Sequence, residues 1–214
     1  MCSRYTITKD EAKIRIRDAI MTFGFVPRYN VAPGQRASVI VEASKGPELV
    51  DMKWGWPRKA GGLQTCSRDD TLRQRLPSYF SQRCLIPADG FYERLSDPNP
   101  IRFVRERDEV FCIAGIWRVT EDKPLDEIVV TYDFNIITTE PNHSVAKFHD
   151  RMPLVIHQEH YGFWLDGSAE MGLLAMNHPD RDEFLSYRAS RALARAGSEG
   201  PDLIKNFMRQ GDLL

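Results

Sequence analysis

Three positions in this chain carry side chains whose types could do chemistry together: Cys2, Glu93 and His149. A small residue at position 2 normally lets Met1 be trimmed, and cysteine is small enough. The product would be an N-terminal cysteine with a free α-amine and a thiol on adjacent carbons. Such an aminothiol condenses with an aldehyde to a Schiff base, and the thiol then closes a thiazolidine ring. An α-amine titrates near ~7.7–8.0 and a thiol near ~8.5, so both are partly nucleophilic at neutral pH. Glu93 directly follows the aromatic pair Phe91-Tyr92, whose bulk would desolvate its carboxyl, raise its pKa and suit it to proton transfer. His149 stands in Phe148-His149-Asp150-Arg151-Met152-Pro153. An imidazole can both give and take a proton at neutral pH, as opening a sugar ring to its aldehyde requires. Taken singly, each has a plainer reading: a frayed terminus for Cys2, a solvated strand carboxylate paired with an arginine for Glu93, a surface or structural histidine for His149.

The elements that would position these groups read as one α+β domain over 1–214, β-rich with flanking helices. Thr8 and Glu11 have the spacing of a capping box, and Ala12, Ile16, Ala19, Ile20 and Phe23 form a one-sided stripe. A helix is therefore expected over 12–23, ended by Gly24. The stretch 27–34, with two prolines, is expected to be irregular. Strands are expected over 37–42 and 49–54 around Lys45-Gly46-Pro47. Ser67 would cap a short helix carrying Leu72, Leu76 and Phe80. A run of strands follows over 83–86, 91–94, 101–105, 110–117 and 128–139, its last member passing through Ile136-Ile137-Thr138-Thr139 toward His149. Pro153 restricts the residue before it to extended geometry. Helices are expected over 160–165 and 180–194, with 195–214 peripheral and mobile. Met52-Lys53-Trp54-Gly55-Trp56-Pro57 offers two tryptophans beside Lys53 and Arg58. One is expected in the core, whereas an exposed one would stack on unpaired bases.

Composition narrows the function classes. Of 214 residues, 42% are apolar and 28% charged, which is the balance of an ordinary soluble protein. No run approaches 18 apolar residues, so no membrane association is expected. The opening segment lacks the apolar stretch of a secretory signal. The cysteines, Cys2, Cys66, Cys84 and Cys112, form no CxxC pair. A disulfide framework is not expected, and a cytoplasmic location is. The histidines and cysteines lack metal-ligand spacing, so neither a metal nor an organic cofactor is expected. Net charge is −1, with 21 arginines against 8 lysines. Arginine forks suit phosphate, although a GC-rich genome gives the same bias, and any phosphate-binding surface must be a local patch.

Five segments together resemble the SRAP family (SOS response-associated peptidase). They are Met1-Cys2-x-Arg4-Tyr5, Asn30-Val-Ala-Pro33-x-Gln35, Trp54-Gly55, Arg83-Cys84-Leu-Ile-Pro87-Ala-Asp-Gly90-Phe-Tyr-Glu93 and His149-Asp-Arg-Met-Pro153. They occur in family order between positions 2 and 165. The resemblance implies the SRAP fold, with barrel-like antiparallel sheets in one domain. It also implies a sensor that crosslinks covalently to abasic sites in single-stranded DNA through a Cys2 thiazolidine and removes its own Met1, in the setting of DNA damage and repair. In that scheme Glu93 handles protons for Schiff-base formation and Met1 removal, and His149 promotes ring opening and reversal. DNA-facing positions would be Arg4, Asn30, Pro33, Trp54, Arg68, Thr138 and Arg151. A monomer is expected, with DNA as its partner.

The chain also departs from the family. Cys66 stands where the family has an active-site asparagine, ahead of the matching Arg68 and Thr71, so an amide is replaced by a weak S–H donor. A Cys2–Cys66 disulfide would switch the trap off under oxidation if the two Cα atoms lie within ~7 Å. Ser3 replaces a glycine, and Tyr187-Arg-Ala-Ser190 is only distantly similar to the family's Pro-Val-Ser. Two further readings follow from the same residues: an N-terminal-nucleophile or thiol hydrolase acting on peptides or amides, and a DNA-binding relative that does not crosslink.

Overall fold

Alternating burial, rather than a helical stripe, organises the first 24 residues. The computed structural model describes residues 4–75, 82–93, 100–106, 109–122, 129–166, 168–177, 183–195 and 197–205. In it Arg4–Ile7 (β1) precedes a hairpin of Glu11–Ile16 (β2) and Ala19–Gly24 (β3), registered from Glu11↔Gly24 to Ile16↔Ala19. The helix expected over 12–23 is thereby corrected. Ile14 and Ile16 are buried while Lys13 and Arg15 are exposed, a period of two. Arg17, at φ 56°, supplies the left-handed turn residue. Thr8 caps no helix: its backbone N–H and its hydroxyl both donate to Asp89 Oδ2, at 2.5 and 2.6 Å.

The following strands are Arg28–Val31 (β4), within the stretch expected to be irregular, then Arg36–Ala43 (β5), Gly46–Trp54 (β6), Trp56–Pro57 (β7), Leu63–Gln64 (β8) and Cys66–Arg68 (β9). Asp69–Arg75 (α1) bears out the short helix as far as Leu72, while Leu76 and Phe80 fall outside the described residues. Beyond it lie Arg83–Ala88 (β10), Gly90–Glu93 (β11), Ile101–Val104 (β12), Phe111–Asp122 (β13) and Val129–Thr139 (β14), close to the expected strands. After His143–Ala146 (α2) come Met152–Pro153 (β15) and Val155–Ile156 (β16), then Tyr161–Leu165 (α3) and Ala169–Asn177 (α4). Leu185–Arg188 (β17) is a strand inside the helix expected over 180–194, and Arg191–Ala194 is a single 3-10 turn that Ser190 caps. That helix is corrected over its described part. The segment covers the open edge of β12, from Ile101↔Arg188 to Val104↔Leu185, and an uncovered edge would expose a row of unpaired backbone groups.

Strands β6, β5, β10, β13 and β14 pair in that order, and β14 closes the ring by pairing with β6 in parallel at Asp133↔Lys53 and Phe134↔Trp54. This barrel is filled by inward residues such as Val39, Met52, Trp54, Ile86, Phe134 and Ile136. A second sheet, ordered β17-β12-β11-β1-β4, leans on the same core through Tyr5, Phe91 and Phe103. On the barrel's other face α3 and α4 bury Tyr161, Trp164 and Met176 against Ile40, Leu85 and Ala114. The expected β-rich α+β architecture is what the chain adopts. Its later segment is less peripheral than expected: Leu203 packs with Tyr92, Ala189 and Leu193, and Tyr187 donates its hydroxyl to Ile204 O. Among the described residues no helix is long and apolar enough to cross a membrane.

Candidate active site

Glu93 ends β11, the strand that pairs with β1 at Arg4↔Tyr92 and Tyr5↔Phe91. Its side chain is 2% exposed, and burial pushes the carboxyl up to about 7. The carboxyl is desolvated, as expected, and the two aromatics before it, Phe91 and Tyr92, are themselves fully buried. His149 faces it, with Nε2 3.9 Å from Glu93 Oε2. The loop carrying His149 is fixed from both sides. Asn142 caps α2 by accepting the Val145 N–H, and the His149 N–H donates to Val145 O at 3.0 Å. Phe148 packs edge-on against Phe103 at 5.6 Å. Burial lowers the His149 pKa, favouring the neutral ring. Nδ1 lies 2.9 Å from the Arg151 N–H and 3.1 Å from the Arg151 carbonyl oxygen, so it finds a backbone partner whether it accepts or donates. Exposed Asp150 lies 3.0 Å from the same Nδ1 and becomes its partner when the ring is protonated.

Cys66 starts β9, which runs parallel to β14 at Ile136↔Cys66 and Thr138↔Arg68. Burial raises its thiol to about 11, and the Glu93 carboxylate acts in the same direction, so Cys66 belongs to this electrostatic neighbourhood as a neutral S–H. Thr65 Oγ1 lies 3.8 Å from its sulfur. Cys2 lies outside the described residues, and with it the Cα separation on which a Cys2–Cys66 disulfide would depend.

The remaining sequence-derived positions divide by exposure. Arg68 is exposed and paired with Asp70 at 2.8 Å. Arg4 is half-buried, with Nη1 3.5 Å from Asn30 Oδ1, and Pro33 is half-buried in the turn before β5. Asn30 is buried and donates to Ser198 O at 2.9 Å. Arg151 is buried, donating to Asp69 Oδ1 at 2.7 Å and to the Thr138 carbonyl, while Thr138 itself is fully buried. These three therefore tie elements together behind the site. Trp54 is a correction. It is fully buried in the barrel, with Nε1 bonded to Thr65 O and its ring stacked on Phe134, so it offers bases no face. Trp56 is 5% exposed and equally closed to stacking.

Two features escaped the sequence reading. Asp69 organises Arg151 and also accepts from Thr139 Oγ1 at 2.8 Å. Beneath β1, Asp89 Oδ1 accepts from Thr6 Oγ1 at 2.5 Å and lies 3.3 Å from the Arg102 guanidinium, all three residues being buried. The Asp-Gly pair at 89–90 reads as a turn signal, which hides the carboxylate's role as an anchor.

Fold and site together define a barrel protein in which a buried carboxyl faces a half-buried imidazole beside the first strand. Residues 1–196 match the family of SOS response associated peptidases, SRAP. The chain is 31% identical over 230 residues to abasic site processing protein YoqW of Bacillus subtilis, covering 96% of this chain and 100% of that one. It is 24% identical to abasic site processing protein YedK of Escherichia coli over 84% of this chain and 85% of that one. A crystal structure of a protein from Bordetella bronchiseptica shares the fold, with a TM-score of 0.69 at 20% identity over 88% of this chain and all of that one. The chain belongs to the SRAP family.

Proposed function

We propose that this protein captures abasic sites in single-stranded DNA by a covalent bond through Cys2, after loss of Met1. The observation that carries the reading is the Glu93–His149 pair at the end of β11, one residue past the point where β11 pairs with Arg4. Cys2 is two residues upstream of Arg4 in the sequence, and that proximity along the chain supports assigning it to the same reaction. The relatives named as abasic site processing proteins point to the same substrate.

The chemistry follows from the groups present. An abasic deoxyribose is a cyclic hemiacetal, and His149 moves the proton that opens it to the C1 aldehyde. The Cys2 amine adds to C1, and the carbinolamine loses water as Glu93 donates a proton, giving the imine. The thiol then adds across the C=N bond, its proton passing to nitrogen, and the thiazolidine closes. One water leaves overall and nothing is oxidised. A carboxyl with a pKa of about 7 is half protonated at neutral pH and can both donate and recover that proton.

The test is incubation with an oligonucleotide carrying one abasic site. A heat-stable adduct on a denaturing gel is expected with the wild type and none with Cys2→Ala. Intact mass should show a chain lacking Met1. A wild-type chain free of Met1 that forms no adduct would refute the proposal.

A further inference from the structure

A cleft of about 400 Å³ opens beside the reaction centre, lined by Trp56, Arg58, Gln64, Cys66, Arg68 and Arg118 among others. Its volume is that of a small-ligand site, and its lining is cationic. Arg68 is paired with Asp70. Arg58 and Arg118 have no carboxylate partner among the described residues. Arg118 is held in place: its guanidinium lies over the Trp56 ring at 4.8 Å, and Trp56 in turn donates Nε1–H to Asp133 O. Stacking fixes the plane of the guanidinium and leaves its edge N–H groups available for an oxyanion. The cleft has a polar neighbour too. Ile116, in its wall, pairs in register with Asn135. Asn135 is fully buried, with Oδ1 and Nδ2 both unpaired among the described residues.

Cys66 joins this cleft to the reaction centre, because it lines the one and feels the charge of Glu93 in the other. We infer that the cleft is a phosphodiester subsite in which Arg58 and Arg118 hold the backbone of a nucleotide flanking the lesion. This rests on the proposed substrate class and adds to it where the strand runs. Arg58 is exposed and Arg118 half-buried. A strand in the cleft therefore meets an exposed positive charge at Arg58 and a stacked fork at Arg118. With net charge −1 for the whole chain, such a local site must supply much of the attraction for DNA.

The experiment measures binding of an undamaged single-stranded oligonucleotide by fluorescence anisotropy across a salt series, so its outcome does not depend on crosslinking. For Arg58→Ala/Arg118→Ala the expected result is a dissociation constant raised roughly tenfold or more. The slope of log K against log salt should fall by about 1.4, at ~0.7 per phosphate contact on a single strand. Arg58→Glu alone, at an exposed position, should weaken binding in the same direction and guards against misfolding of the double variant. Arg118→Lys keeps the charge, should retain the salt slope, and should lose affinity through the missing fork. Unchanged affinity and salt slope in both Arg58→Glu and the double variant would overturn the subsite while leaving the trapping reaction intact. Binding that behaves as expected without any adduct would overturn the trapping reaction and leave the subsite standing.

Discussion

At Glu93 the energetic cost of burial and the chemistry have one origin, removal of water from a carboxyl. A folded-state pKa of about 7 against the ordinary 4.5 means that the folded chain binds the Glu93 proton more tightly than the unfolded chain. Stability from this group is full below the unfolded pKa and is lost as pH rises through about 7. Glu93→Gln removes the ionisation, so it should raise stability at pH 8 by roughly 3 kcal/mol relative to wild type. That gain should vanish near pH 4. Urea melts at the two pH values check this, and a gain equal at both would contradict a buried, raised carboxyl. The same variant should lose adduct formation, because an amide cannot return the proton. His149 shows the opposite response to the same environment, its burial favouring the neutral ring.

At the scale of elements, β1 is fastened by the buried Asp89. That carboxylate takes two bonds from Thr8 and one from Thr6, and it faces Arg102, whose Nη1 donates to the Tyr187 hydroxyl at 2.5 Å. Asp89→Asn leaves the Arg102 charge buried without its counter-charge and should cost about 3–5 kcal/mol, measured as a fall in urea midpoint. Sheet strands were the most legible part of the sequence. Runs such as Val39-Ile40-Val41 and Cys84-Leu85-Ile86 are buried on both faces, and short apolar runs bounded by turn residues announce that. The hairpin Glu11–Gly24 was not legible, because Ile16, Ile20 and Phe23 fit a helical stripe as well as alternation. Only the left-handed Arg17 and the use of Thr8 by Asp89 decide between them. The pairing of Glu93 with His149 was legible only through the family motifs, since each residue alone has a plainer reading. The cleft of Arg58 and Arg118 was not legible, because the parallel pairing of β9 and β14 that helps build it joins segments some 70 residues apart.

At the scale of the molecule, barrel closure depends on a position with no side chain. A Cβ added at Gly115 would lie 2.7 Å from Cys84 Sγ, 2.8 Å from Ile86 Cδ1 and 3.1 Å from Asn135 O. The last of these is backbone and cannot turn aside. Gly115→Ala should therefore destabilise the fold by about 1–3 kcal/mol, visible as a lower thermal midpoint, whereas Gly61→Ala, with open space around it, should cost less than that despite its φ of 85°. The order of the second sheet, β17-β12-β11-β1-β4, has a consequence in time. Strand β1 is made about 180 residues before β17, the strand that covers the far edge of this sheet. At ~5–20 residues per second, roughly 10–35 s separate the two. Until β17 is made, β12 has no outer partner and Arg102 lacks the Tyr187 hydroxyl, so the platform under Glu93 is finished only then.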